Sequence, residues 1–441
     1  QPAKMNVVLP AILIDAVHMT GVVMGDHKGA FNWIYDCGSK SANAMDAALA
    51  RTAAWPVWPD PINMLALSHL DDDHVNGLEA LLTQRHVNCL VLPFSEWQQR
   101  VRDVAIGGLK GVSASTAQLQ LSPLAWLQAK GLEARVGTLL LVQRGAPGQQ
   151  DGFDPVPLPG SPAPEESSNE RQDREGPEQR DLRLMSMAQG AASGAAPGVQ
   201  LINHGMPIRA NGFPMEFMFY NAELSGSDLG IIKTSKTGEL ISRKSKLPLQ
   251  DARDAIEAAI STLGLNKPLT AWPVGWRAHL KGCYESHFGS SSAAKNNISL
   301  CMYVAPAPNA SSPSPCGIFH GHQASPPLVD VDAGCSFNSG RPAMLCTGDL
   351  RLDPSVISAM QSHFGPKRWG RIGITQVPHH GSQHSWVAGN AMSLAPSAFV
   401  QCAPGKGAHP HANVVADLTG QTVFTADYQS SVSLKYHFLA A

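Results

Sequence analysis

The densest run of reactive side chains in this sequence is Ser68-His69-Leu70-Asp71-Asp72-Asp73-His74-Val75-Asn76-Gly77. It follows the apolar run Met64-Leu67 and precedes helix formers, so its side chains crowd a strand-to-helix turn. Imidazole and carboxylate both ligate divalent cations, and three acids beside two histidines are electrostatically costly unless a cation offsets them. The competing explanation is an acidic helix N-terminus, where Asp favours the positive end of the dipole. That would account for Asp71 to Asp73 alone, but a helix cap needs no histidine, and His69 and His74 stand at these offsets. Farther along, Asp349, the pair His379-His380 and the turn His409-Pro410-His411 offer further groups of the same kinds, although the last also reads as a turn stiffened by proline.

These residues need elements to hold them. In the first hundred residues Val7-Ile14, Phe31-Tyr35, Met64-Leu67 and Cys89-Pro93 read as strands, with helical stretches at Ser41-Arg51 and Val75-Leu82 between them. This β-α-β-α succession predicts a layered α/β protein. Later strands are expected at Met215-Tyr220, Ile298-Val304, Ala343-Cys346, Ile372-Val377, Ala398-Gln401 and Ser431-Phe438, and helices at Gln250-Leu263 and Trp276-Phe288. Two stretches rich in Pro, Ser and Gly, residues 144–200 and 305–341, read as mobile inserts, because they hold too little apolar surface to offset their ordering entropy. Candidate metal residues lie on both sides of these inserts. The whole of 1–441 is therefore expected to be one domain, interrupted and not divided.

Of the 441 residues, 43% are hydrophobic, enough to bury a large core. No apolar run approaches the ~20 residues of a membrane helix, and no basic-then-apolar leader opens the chain, with Met5 a candidate native start. Eight scattered cysteines without a C-x-x-C pair suit reduced thiols, and hence a cytoplasmic protein. A net charge of −2 excludes a global electrostatic footprint for long nucleic acid, so any such binding must be local.

The cluster from His69 to His74 resembles the H-x-H-x-D-H signature of metallo-β-lactamase-fold hydrolases, and more closely the H-x-D-x-D-H form in the metallo-hydrolase domain of ComEC-type competence proteins. The resemblance continues in order through Asp36-Cys37-Gly38-Ser39, Asn296-Asn297-Ile298-Ser299-Leu300, Leu345-Cys346-Thr347-Gly348-Asp349, Val377-Pro378-His379-His380-Gly381-Ser382 and His409-Pro410-His411. It implies a four-layer αβ/βα sandwich with one or two divalent ions, zinc or manganese. By this resemblance His69 and Asp71 help hold one ion, Asp73, His74 and one histidine of the pair His379-His380 hold a second, with His380 preferred because it directly precedes Gly381, and Asp349 bridges them. Asp73 orients the attacking oxygen or acts as base. His379 protonates the leaving oxygen, with His384 and His409 as weaker candidates; a satisfied buried histidine is the plainer alternative for His379.

Two departures from the pattern matter. Asp71 stands where most members carry His, which moves that site toward oxygen ligands and manganese. The usual histidine before the bridging Asp has no counterpart; His204, His279, His287, His320 and His322 lie in the span, and His320-Gly321-His322 falls in the second insert and reads as mobile loop.

Two cations ~3.5–4 Å apart can hold a bridging hydroxide at neutral pH and bind substrate oxygens, which suits hydrolysis of phosphodiester or acyl bonds. The resemblance implies a nuclease or phosphodiesterase acting on nucleic acid or a nucleotide. The run of Lys233, Lys236, Arg243, Lys244 and Lys246 would suit such a substrate, though a charge run of this kind is more often a solvated loop. Trp272 and Trp276 could stack bases, or simply pack in a core. The alternatives are a hydrolase of another ester or amide, and a non-catalytic module that docks a protein partner through its inserts.

Overall fold

The computed structural model describes residues 5–14, 16–24, 30–38, 49, 60–94, 97–106, 113–143, 156–157, 198–209, 215–222, 229–234, 237–265, 267–290, 299–306, 314–322, 341–402, 409–426 and 430–438. In chain order its strands are β1 (Met5–Ile14), β2 (Ala16–Met24), β3 (Ala30–Tyr35), β4 (Ile62–Ala66), β5 (Val87–Pro93), β6 (Val136–Gln143), β7 (Val156–Pro157), β8 (Gly198–Asn203), β9 (Ile208–Arg209) and β10 (Met215–Asn221). There follow β11 (Ile231–Lys233), β12 (Leu240–Ser242), β13 (Leu300–Pro306), β14 (Ser314–His322), β15 (Ala343–Cys346), β16 (Ile372–Gln376), β17 (Ala398–Cys402), β18 (Val423–Ala426) and β19 (Ser430–Phe438). The helices are α1 (Asp72–Val75), α2 (Leu78–Gln84), α3 (Trp97–Ile106), α4 (Ala114–Leu121), α5 (Pro123–Ala129), α6 (Leu249–Thr262), α7 (Trp276–Phe288), α8 (Pro354–Gly370), α9 (Asn390–Leu394) and α10 (Ala412–Asp417).

The protein is a mixed α/β structure. One sheet runs β14-β19-β1-β2-β3-β4-β5-β6-β8, parallel from β3 onward; the other runs β18-β17-β16-β15-β13-β10-β9-β7, parallel from β15 to β18. Period-two alternation divides each strand between two cores. Trp33, Tyr35, Met64 and Ala66 of the first sheet face Phe217, Met302, Met344 and Val400 of the second. Trp33 meets Phe217 edge to face, with centroids 5.5 Å apart. The intervening residues Ile34, Leu65 and Leu90 pack outward against Leu78 and Leu82 of α2 and Trp126 of α5. On the second sheet Met218, Tyr303 and Leu345 pack outward against Ile357, Met360 and Phe364 of α8. A separate cluster joins α3, α4, α6 and α7 through Val101, Ala117, Ile256, Leu280 and Tyr284. Each fully buried Leu, Ile, Val, Met or Phe among them contributes about 1.5–3 kcal/mol by leaving water.

Several elements differ from the sequence expectations. Ser314–His322, placed by composition in the second insert, forms β14 and pairs with β19 from Ser314↔His437 to His322↔Ser430. His320 and His322 therefore lie on a strand and not in a loop, because pairing to a neighbouring strand overrides a weak local propensity. The helix expected at Val75-Leu82 is two helices, α1 and α2, broken at Asn76-Gly77. Of Ser41-Arg51, only Leu49, helical and buried, lies within the described residues. Asn296-Asn297, most of 144–200 and much of 305–341 lie outside them. No helix among the described residues is long and apolar enough to cross a membrane.

Candidate metal centre

His69, His74 and Asp349 come together where parallel strands of both sheets end. After β3 the chain turns at Asp36, whose φ of 65° is left-handed and whose N–H donates to Ala66 O at 2.8 Å. After β4, Ser68 N donates to Asp36 Oδ1 at 2.6 Å and Ser68 Oγ donates to Asp36 Oδ2 at 2.8 Å. The second sheet adds the turn after β15, where Gln376 Oε1 accepts from Thr347 N at 2.7 Å and Gly348 N at 3.2 Å. Gly348 has φ +54°, and a Cβ there would overlap Ser299 Oγ and Ser68 Cβ, so only glycine lets the two loops approach this closely. Leu300 N donates to Ser68 O at 2.6 Å across the same seam.

Within this seam His69, His74 and Asp349 place one ligating atom each within 4.8 Å of one another. His74 Nδ1 lies 3.1 Å from Asp36 Oδ2, which turns Nε2 toward Asp349 Oδ1 at 3.5 Å. His69 Nδ1 lies 3.0 Å from Ser68 Oγ, and its Nε2 faces Asp349 Oδ2 at 3.9 Å. The two rings lie 3.9 Å apart at 47°. A ligating histidine is commonly oriented by a carboxylate or hydroxyl on its other nitrogen, and both imidazoles have that support.

The electrostatics ask for a cation. Burial disfavours a charged His74, yet Asp349 and Asp36 hold its pKa well above the ordinary histidine range. Asp349 is buried too, and against that burial His74 and His379 hold its carboxyl well below the usual range. His69 is held low by burial and then by the charge on His74. His74 Nε2 and His380 Nδ1 are buried without a hydrogen-bond partner, an arrangement that is uncommon without a further ligand or ion. Two imidazole nitrogens and a carboxylate oxygen at these spacings fit a divalent transition metal, which would satisfy His74 Nε2 and replace the charge that its proton supplies.

The other residues singled out from the sequence take different places. Asp71, Asp73 and His380 do not join the three-residue group, although Asp71 acts on His69 and Asp73 on His380 through their charges. Burial pushes His380 down to about 4 against the opposing pull of Asp349. Asp72 accepts from Ser113 N at 3.0 Å and from Thr116 Oγ1 at 2.5 Å, so it braces α4. His379 Nδ1 lies 3.5 Å from Asp349 Oδ2 and 3.4 Å from Ser385 Oγ. Both His379 and His380 sit at positive φ, 47° and 54°. Such strain in non-glycine residues concentrates at functional sites. The His409 ring lies 5.8 Å from that of His379, tilted by 32°, and meets His411 edge to face at 4.6 Å.

His204 lies apart from this group, against His363 and Tyr220. His279 contacts Gly275 O, and His287 contacts Ser245. Sequence reading did not give Asp36 a ligand-orienting role. Its only sequence signal was the Asp-Cys-Gly turn, and its partner His74 is 38 positions away.

No family model matches the chain, and no curated protein matches it. Among solved structures it is similar to the metallo-β-lactamase fold protein YhfI from Bacillus subtilis, 10% identical over 96% of this chain and 98% of that one, with a TM-score of 0.34. It is also similar to a long form RNase Z from yeast, 9% identical over 90% of this chain and 36% of that one, with a TM-score of 0.30. At these scores the centre stands on its own residues and distances.

Proposed function

We propose that this chain is a metal-dependent hydrolase of the metallo-β-lactamase fold, a four-layer αβ/βα sandwich, that cleaves phosphodiesters of nucleic acid or nucleotides. The observation that carries this reading is His74, held by Asp36 on one nitrogen and facing Asp349 with the other, beside His69. His69, His74 and Asp349 would hold the first ion, zinc or manganese, and Asp71, which acts on His69 through its charge, with Asp73 and His380, which act on each other, would complete that site or a second one. When bound, a divalent cation supplies Lewis acidity and makes water a nucleophile at neutral pH.

The chain's own residues do the rest. Asp73 orients the attacking water and accepts its proton. His379, partly exposed and steered by Asp349 and Ser385, delivers a proton to the leaving oxygen. The order of motifs resembling ComEC-type domains supports a phosphodiester over other esters. Cys37, Cys89, Cys283, Cys301, Cys346 and Cys402 are free thiols, which supports a cytoplasmic setting.

The test removes metal with a chelator, restores manganese or zinc, and measures bound ion together with cleavage of bis-p-nitrophenyl phosphate and of single- and double-stranded DNA and RNA. Asp349→Ala is expected to lose both ion and cleavage. A wild-type protein that binds neither metal, or an Asp349→Ala variant that hydrolyses as well as wild type, overturns the reading.

A further inference from the structure

The helices between residues 229 and 290 contribute nothing to the metal centre, and their charge departs from that of the chain. Nine Lys and Arg stand there against five Asp and Glu, on a protein of net charge −2. At the start of α7, Trp272 and Trp276 pack edge to face, with centroids 4.9 Å apart at 73°. The Arg277 guanidinium lies 5.0 Å from the Trp276 centroid. Both rings are partly buried on the cluster beneath them, and Trp272 Nε1 is fixed by donation to Lys267 O at 2.9 Å. Between them Val274 is fully exposed. Rigid, half-exposed aromatics beside a guanidinium are the surface on which unpaired bases stack.

One helix connects this surface to the centre. Through Thr116 and Gln120, α4 holds Asp72 and Leu70 O of the histidine-bearing loop, while its Gln118 Nε2 reaches Lys267 O at 3.5 Å. At the far end of α7, Lys244 N and Ser245 N donate to His287 O, which sets Arg243, Lys244 and Lys246 there. The helix between is about 20 Å long. Resting on the phosphodiester reading above, we infer that Trp272, Trp276 and Arg277 form a stacking platform for single-stranded nucleic acid, with Arg243, Lys244 and Lys246 receiving its phosphates. A lipid surface fits less well, because among the described residues from 267 to 277 Val274 is the one exposed large hydrophobic side chain, and membrane anchors bury a larger apolar face.

Fluorescence polarisation with a labelled oligothymidylate, its duplex and anionic phosphatidylserine vesicles tests this. Trp276→Ala is expected to weaken single-strand binding by about tenfold or more, and the stacking-competent Trp276→Phe by much less. Because Trp276 also packs on the core, Val274→Asp serves as a variant without folding cost; the added anion should lower affinity roughly threefold. Bound metal should stay at the wild-type level in all three variants. Wild-type protein that fails to bind the oligothymidylate overturns the platform, as do Trp276→Ala and Val274→Asp variants that bind like wild type. Tighter binding of wild type to vesicles than to oligonucleotide, lost in the same variants, also overturns it. Wild type that binds the strand through Trp276 but cleaves no phosphodiester leaves the platform standing and sinks the phosphodiesterase reading instead.

Discussion

Two pairs of histidine rings lie inside this protein in nearly the same mutual geometry: His69 with His74 at 3.9 Å and 47°, and His204 with His363 at 4.2 Å and 49°. Their surroundings differ. Around the first pair stand Asp36 and Asp349, and the His74 pKa rises despite burial. The second pair meets backbone: His363 Nε2 donates to Phe219 O at 2.7 Å, and His204 Nδ1 accepts from Asn221 N at 3.0 Å. With no carboxylate partner, burial pushes His363 down to about 4. On β10, which carries Phe219 and Asn221, Glu216 is engaged by Arg368 and Arg371. Paired, buried imidazoles are therefore not in themselves a candidate cation site; it is the carboxylates facing the same atoms that distinguish the first pair.

The largest expected effect sets the pairs directly against each other. His74→Ala should reduce bound metal and phosphodiester cleavage to the detection limit, while His204→Ala keeps its metal content by elemental analysis. Equal metal loss in both variants would break the comparison. Next, Asp36→Asn keeps every direct ligand but weakens the hold on His74. Chelator competition should show metal affinity lowered roughly ten- to hundredfold.

The second pair should register in stability and not in metal. His363 has a folded pKa near 4, below the ordinary histidine value, so the unfolded chain takes up the proton first. Its contribution to stability is complete above about pH 6.5 and is lost as pH falls toward 4, amounting to about 2 kcal/mol between pH 7 and 5. Urea unfolding at those two pH values should show this loss in wild type and a smaller one in His363→Gln; equal slopes would remove the distinction. The smallest effect is expected at Ser385, which donates to Asp349 O at 3.2 Å and contacts His379. Ser385→Ala should slow cleavage about fivefold or less.

The types and approximate places of the candidate group His69, His74 and Asp349 were legible in the sequence, because these residues sit beside apolar runs that form β4 and β15. Strong single-element patterns were also readable, as in α7, whose bounds match the expected Trp276-Phe288. What escaped reading depends on partners distant in sequence. The link from Asp36 to His74 crosses two strands, and the left-handed conformations of His379 and His380 leave no glycine signature. Strand β14 was hidden by its Pro- and Ser-rich flanks, since its pairing with β19 is set by tertiary context and not by composition. Strand β2 mixes His18, Thr20 and Gly21 with apolar residues, and its pairing with β1 and β3 is likewise non-local.

The seam at Ser68 and Leu300 also bears on folding order. Tyr35 Oη donates to Leu300 O at 2.7 Å, across 265 positions of chain, so the centre is complete only after the two sheets dock. Contacts of such long range form late and slowly. An ion held between His74 and Asp349 would tie together segments that are far apart in the unfolded chain. It would act as a reversible cross-link that stabilises the native state by about 2.7 kcal/mol at a hundredfold excess over its Kd. Because this tie is absent until docking is finished, metal should slow unfolding far more than it speeds folding.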